Sequence, residues 1–172
     1  ALYTTAFSPS TSPLTTTVSS GTVTLLTAQS SYFKDNSASP LTFTITGTPK
    51  VVSTYPFDAS ASNVTTSAYG SGYFSGSTYL TIPSATALQL STASSFTIEA
   101  WVYVTAWDSS TQNNICTKWN ASGAGYAYKF GLKSDNIHFG TGNNGSLSTE
   151  YDIAYSFILN TWYHVAVVRS GS

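Results

Sequence analysis

The run SFTIEAWVYV at residues 95–104 alternates with a period of two: Phe96, Ile98, Ala100, Val102 and Val104 fall on one face, Thr97, Glu99, Trp101 and Tyr103 on the other. Successive side chains of an extended strand point to opposite faces, whereas a helix needs apolar residues three and four apart. The segment is therefore predicted to be a strand whose first set faces a core. Asp, Glu, Lys and Arg together make up 8% of the chain and aromatic residues 15%, so helix formers are scarce. Thr, Val, Ile, Tyr and Phe favour strands, and the predicted class is all-β. With 172 residues the chain is long enough for one domain with a real core and too short for two comfortable ones.

Residues 1–21 are Ser, Thr and Pro with few apolar positions, including SPSTSP around Pro9 and Pro13. Proline removes backbone donors and hydroxyl side chains compete for the backbone, so this stretch is predicted to be an extended arm or linker. From Thr22 onward short β-rich runs alternate with turn clusters, as in a sandwich. TVTLLTA opens the series, KDNSASP from Lys34 reads as a turn, LTFTITG from Leu41 reads as an alternating strand, and TPKVVSTYPF carries the chain to Phe57. SGYFSGSTYLTIP reads as a hairpin turning at Gly76, and ATALQL at 85–90 as a single helical turn. Further strands are expected at 114–119, 127–132 and 136–140, with NASGAG and TGNNGS as loops and a last strand in NTWYHVAVVRS. The expected domains are the arm, 1–21, and the sandwich, 22–172.

A net charge of −1 with six scattered Lys and Arg cannot neutralise a run of phosphates or hold an anionic membrane, so neither nucleic acid nor membrane is expected as a partner. No apolar run approaches the ~20 residues of a membrane span, and Ala1 opens no signal-peptide pattern. Cys116 is the single cysteine and reads as a small buried strand residue, so no intrachain disulfide is expected.

The residues SGYFSGSTYLTIP, SFTIEAWVYV, ICTKWN with YKFGL, and NTWYHVAVVRSGS follow one another as in the laminin-G-like, concanavalin-A-like jelly-roll domains. They most resemble the versions in bacteriophage virion structural proteins, where TLLTAQSSYFKDNS is similar to the opening of the domain. The resemblance covers about Thr22 to Ser172 and implies an antiparallel β-sandwich with an extended N-terminal arm. It implies a structural or assembly component of an extracellular particle, a phage decoration, fibre or tail protein, located in the virion or outside the cell. The alternative is a lectin-like module for surface glycans, since this sandwich hosts many functions. Relatives continue through another hairpin after the closing SGS, so the sandwich is expected to be incomplete at its C-terminus. Either the chain is part of a longer one, or its edge would be covered by copies of itself or by other virion proteins through strand addition. Leu14, Thr16 and Val18 of the arm alternate and are the candidate donor strand.

No enzyme activity is expected. Retaining glycosidases on this fold use closely spaced carboxylates on one strand, which brings EYDIAY at 150–155 into question. Glu150 and Asp152 are two apart, but Ala154 and Tyr155 stand where a third acid is needed. Glu99 reads as a satisfied polar residue on the second face of its strand, and His164 as a strand residue bonded to a backbone carbonyl. His138 and His164 lack metal-ligand spacing, so no metal or cofactor is expected. Structural calcium has no motif behind it: Asp35, Asp58, Asp108, Asp135 and Asp152 stand near loops without ligand spacing, and the turn SGST at 75–78 lacks the aspartates of relatives.

Sugar binding needs flat aromatic faces beside short amides or carboxylates. Three clusters supply them: Trp107, Asp108, Asn113 and Asn114; Trp119, Asn120 and Tyr126; and Asn143 with Asn144. Asn63, Asn120 and Asn144 also open N-x-Ser/Thr triplets, which arise by chance in so Ser- and Asn-rich a chain.

Overall fold

A computed structural model describes residues 8–28, 32–57, 70–90, 95–107, 112–118, 126–143 and 146–170. Its regular elements are strands, joined by one 3-10 turn, Thr86–Leu88, where ATALQL predicted a helical turn. The elements group into two compact units, one within residues 8–88 and one from Gln89 onward.

In the first unit, β1 (Thr44–Thr46) pairs antiparallel with β4 (Tyr79–Thr81), and β2 (Lys50–Val52) pairs with β3 (Ser71–Tyr73). The expected hairpin SGYFSGSTYLTIP is thereby corrected. Its turn is present, with Thr78 N donating to Ser75 O and Gly76 at a φ of 56°, a left-handed value that suits a residue without Cβ. The flanking strands turn away to different partners instead of to each other.

TVTLLTA is not a strand either. Asp35 explains why: its carboxylate, 5% exposed, accepts from Leu26 N at 3.0 Å, Ser37 N at 2.9 Å, Leu41 N at 2.9 Å and Ser37 Oγ at 3.0 Å. Asn36 N donates back to Leu26 O. One carboxylate thus does for residues 26–41 what a ladder of strand bonds does elsewhere, satisfying buried donors that would otherwise be costly.

The described part of the arm, 8–21, forms no strand. Ser12 N donates to Ser10 Oγ and Thr17 N to Thr15 Oγ1, the local hydroxyl turns that compete with a ladder. Leu14 and Val18 are half-buried and Thr16 is exposed.

The second unit is built on β5 (Phe96–Tyr103), β6 (Asn113–Lys118), β7 (Tyr126–Lys133), β8 (Asn136–Asn143), β9 (Ser146–Ala154) and β10 (Trp162–Arg169). Strands β6 to β9 form an antiparallel four-stranded sheet in chain order, and β5 pairs with β10 in a ribbon. Phe130, Leu132 and Phe139 from the sheet meet Val165 from the ribbon in one core, with Phe96, Ile98 and Val102 packed against it as the alternation of SFTIEAWVYV predicted. The Phe96 and Phe139 rings, 6.0 Å apart, join the two layers. Phe130 and Leu132 are fully buried, each contributing roughly 1.5–3 kcal/mol of apolar burial. This is a β-sandwich, the architecture expected from the sequence.

Cys116 sits in β6 opposite Phe130, and burial pushes its thiol up to about 11. Beside it, burial pushes the Tyr128 phenol up to about 12, with the cysteine adding to the shift.

Candidate functional site

Residues paired across antiparallel strands share a face, so the register sorts the four-stranded sheet. Phe130 pairs with Phe139 and Phe139 with Tyr151, while Leu132 pairs with Ile137 and Ile137 with Ile153; these lie on the core face. The outer face then carries Asn114, Gly131, His138 and Asp152 in one row and Thr117, Lys129, Gly140 and Glu150 in the next. It bears no large apolar side chain in these rows; Gly131, His138 and Gly140 along it are buried, and Glu150 and Asp152 at the β9 end are exposed.

The row through His138 is chemically organised. His138 is 4% exposed, and its Nδ1 lies 2.8 Å from Asp152 Oδ1. Lys133 Nζ reaches the same oxygen at 3.5 Å. The hydrogen bond from His138 holds the Asp152 carboxyl below its ordinary value despite an opposing desolvation effect, with Lys133 adding to the lowering. Asp152 is therefore an anion at neutral pH.

Gly131 is required here by close approach. A Cβ at this position would stand 2.7 Å from Asn113 O and 2.9 Å from Gln112 Nε2, so the chain before β6 lies directly over it. Gln112 Nε2 and Asn113 Nδ2 are buried donors without a hydrogen-bond partner among the described residues. Native interiors seldom leave such groups unpaired; Asn113, opposite Leu132, belongs to the core-face side of β6, and Gln112 lies over Gly131 on the outer face.

Glu150 and Asp152 share the outer face, as their spacing predicted. The position two further on is Ala154, paired with Asn136, so no third carboxylate completes the row.

A second polar cluster lies on the outer face of the ribbon. His164 Nε2 meets Glu99 Oε2 at 3.1 Å, with side chains only 6% and 10% exposed. Trp101 stands edge-on to His164 at 5.3 Å, and Tyr103 packs on Trp162 at 5.3 Å. Glu99 is satisfied on the second face of its strand, as read from sequence. Its partner is His164, for which the sequence suggested a backbone carbonyl. The two residues are 65 apart, and no local pattern in the sequence signals their pairing.

The sugar-site candidates fall in different places. Trp107 packs against Phe157, ring centroids 6.0 Å apart, and joins the core periphery. Asn113 and Asn114 open β6 opposite Leu132 and Gly131, at the end of β7. Tyr126 and Asn143 face each other in register at the other end of the same strand. Six residues of strand separate the two groups by about 20 Å, so they do not converge on one small ligand. Asp108, Trp119, Asn120 and Asn144 lie outside the described residues, as do Asn63 and Asp58.

Among the described residues no three His, Cys, Asp or Glu side chains gather as metal ligands. Asp35 is engaged by backbone donors, and Asp135 accepts from Asn136 Nδ2 at 3.0 Å. The outer face of β6 to β9, missed from sequence because its members come from four strands, is the best-organised polar surface of the unit.

Comparison with known families matches residues 74–172 to the model described as the concanavalin A-like lectin/glucanases superfamily. No curated protein and no solved structure is significantly similar to the chain.

Proposed function

The chain belongs to the concanavalin A-like lectin/glucanases superfamily, and on that premise we propose that it is a lectin-like module that binds carbohydrate without cleaving it. The observation that carries this reading is the outer face of the four-stranded sheet. There an anionic Asp152, oriented by His138, and the neighbouring Glu150 stand exposed side by side on β9. Carboxylates are among the groups that fix sugar hydroxyls.

The absence of a third carboxylate, Ala154 standing at its position, supports binding without hydrolysis. A retaining mechanism needs a nucleophile and a separate proton donor about 5–5.5 Å apart. With His138 and Lys133 holding Asp152 ionised, it has no proton to give, and Ala154 offers none.

A glycan array probed with the chain and with its Asp152→Asn variant tests the reading. Specific spots that weaken at least about tenfold in the variant are expected, the loss of a charge-assisted hydrogen bond being worth that much. An array with no specific spots, or one unchanged by the variant, overturns it. Release of reducing sugar from a β-glucan panel overturns the non-catalytic half.

A second reading, a structural component of an extracellular particle such as a phage virion, is favoured by a different observation. Strand β9 is an exposed edge whose core-face residues Tyr151 and Ile153 are 56% and 61% exposed. Association of copies through the arm residues Leu14, Thr16 and Val18, with the β9 edge open to a further subunit, predicts an oligomer. Sedimentation of the protein with and without residues 1–20 tests it, and a monomer in both cases overturns it.

A further inference from the structure

Among the described residues β9 has one sheet neighbour, β8, and every residue from Thr149 to Ser156 is exposed. Such an edge presents a row of backbone donors and acceptors, and here it adds apolar side chains on one face. Tyr151 and Ile153 carry the core-face rows of Phe139 and Ile137 onto this last strand. The other face of the same edge carries Glu150 and Asp152.

Charge decides what kind of strand fits. Paired residues share a face, so a second copy added antiparallel about a two-fold axis has few registers available. Centred on residue 150, it sets Glu150 against Glu150. Centred on 151, it sets Glu150 against Asp152; on 152, Asp152 against Asp152. Like charges directly opposite one another destabilise a sheet, so these three registers are disfavoured; centred on 153 the clash is avoided, with Asp152 against Ala154, but both acids are left without a cation opposite.

The neighbouring strands point the same way. Across the outer face, β7 contributes Lys129 and Lys133, β8 a glycine and His138, and β9 the two acids. His138 and Lys133 both use Oδ1 of Asp152, and Glu150 has no partner among the described residues. The acidic row thus retains capacity on the side away from the lysines.

We propose that the β9 edge receives an extended strand from a different chain, apolar opposite Tyr151 and Ile153 and bearing Lys or Arg opposite Glu150 and Asp152. The added strand buries the apolar row and neutralises the acidic one, and a second copy, with no Lys or Arg in this strand, supplies no neutralisation. The inference deepens the assembly reading and stands independently of sugar binding.

Two capped nine-residue peptides provide the probe, each alternating Val or Tyr with Lys in one version and Glu in the other. Fluorescence anisotropy with the purified chain is expected to show the Lys peptide binding at least about tenfold tighter at ~50 mM salt. The gap should narrow at ~500 mM as screening grows. Glu150→Lys, an exposed change checked by thermal melting, should reverse the preference. Equal binding of both peptides, or binding of neither, overturns the proposal. So does a dimer dispersed by Tyr151→Lys, which assigns the edge to a second copy. A particle that forms with no peptide preference sinks this inference while leaving the assembly reading standing.

Discussion

Replacing Asp35 should unravel the segment it ties together. Its carboxylate satisfies the backbone N–H groups of Leu26, Ser37 and Leu41, and Leu26 and Ser37 are themselves buried. Leaving a buried donor unsatisfied costs about 1–3 kcal/mol, so Asp35→Ala, which orphans three, should cost about 3–5 kcal/mol once partial access of water to Leu41 is allowed for. Asp35→Asn keeps one oxygen for Leu26 and Ser37 but turns an NH2 toward Leu41 N, and should cost roughly 1–3 kcal/mol.

The dependence on pH follows from the same contacts. Burial by itself would raise the Asp35 pKa, but the hydrogen bonds from Leu41, Leu26 and Ser37 outweigh it and hold the group below 3.8. A depressed pKa contributes stability that is fully present above the unfolded value and disappears as pH falls through the folded one. The gap between wild type and Asp35→Ala should therefore be constant from pH 5 upward and shrink below about pH 4.

All four tryptophans lie beyond residue 88, so their fluorescence follows the other unit. Hydrogen exchange of peptides spanning residues 24–44, with far-UV circular dichroism in urea, is the appropriate measurement. For a unit of this size the alanine variant should lose more than about 10 °C in melting temperature. Unchanged exchange at Leu26 and Leu41, or an Asn variant worse than Ala, would refute the reasoning.

Cys116 should resist thiol reagents at pH 8, where a group titrating at about 11 is thiolate in only about one molecule in a thousand, and react promptly once urea unfolds the chain. Rapid labelling of the folded protein would place the thiol outside the core. Gly131→Ala should destabilise the second unit by about 1–3 kcal/mol because the new methyl meets the Asn113 carbonyl oxygen, which cannot swing aside as a side-chain tip could. A urea midpoint equal to wild type by tryptophan fluorescence would show that the chain before β6 yields. Phe130→Ala, at a side chain with 0% exposure, should cost about 3–5 kcal/mol on the same assay.

Strong alternation made the second unit legible. SFTIEAWVYV announces both faces of β5, and the adjacent β7 and β8 are separated by only a short turn, so local pattern and pairing agree. The first unit was read less well because its strands are three residues long. Three residues cannot encode a partner, and the turn at Ser75–Thr78 says only that the chain reverses. TVTLLTA has the composition of a strand, yet its Leu26 amide is taken by a carboxylate nine residues away. EYDIAY read as an exposed acidic strand or loop and proved to be part of β9, with its two acids on one face as their spacing required. The polar outer face itself escaped, because Asn114, Gly131, His138 and Asp152 converge only through register, which a linear pattern does not carry. The beta bulge between Asn114 and Cys116 hid it further by shifting which β6 residues look outward.

The two faces of the four-stranded sheet amount to a parity rule. Even-numbered positions of β7 and odd-numbered positions of β8 face the core and the complementary positions face outward; β9 keeps step with β8 from Thr149 on, because the bulge at Thr141–Gly142 sets Leu147 against Gly142. The phase inverts at the β7–β8 turn, so two messages are interleaved along a single stretch of chain. A substitution at an outward position leaves the core-facing letters of the same strand untouched.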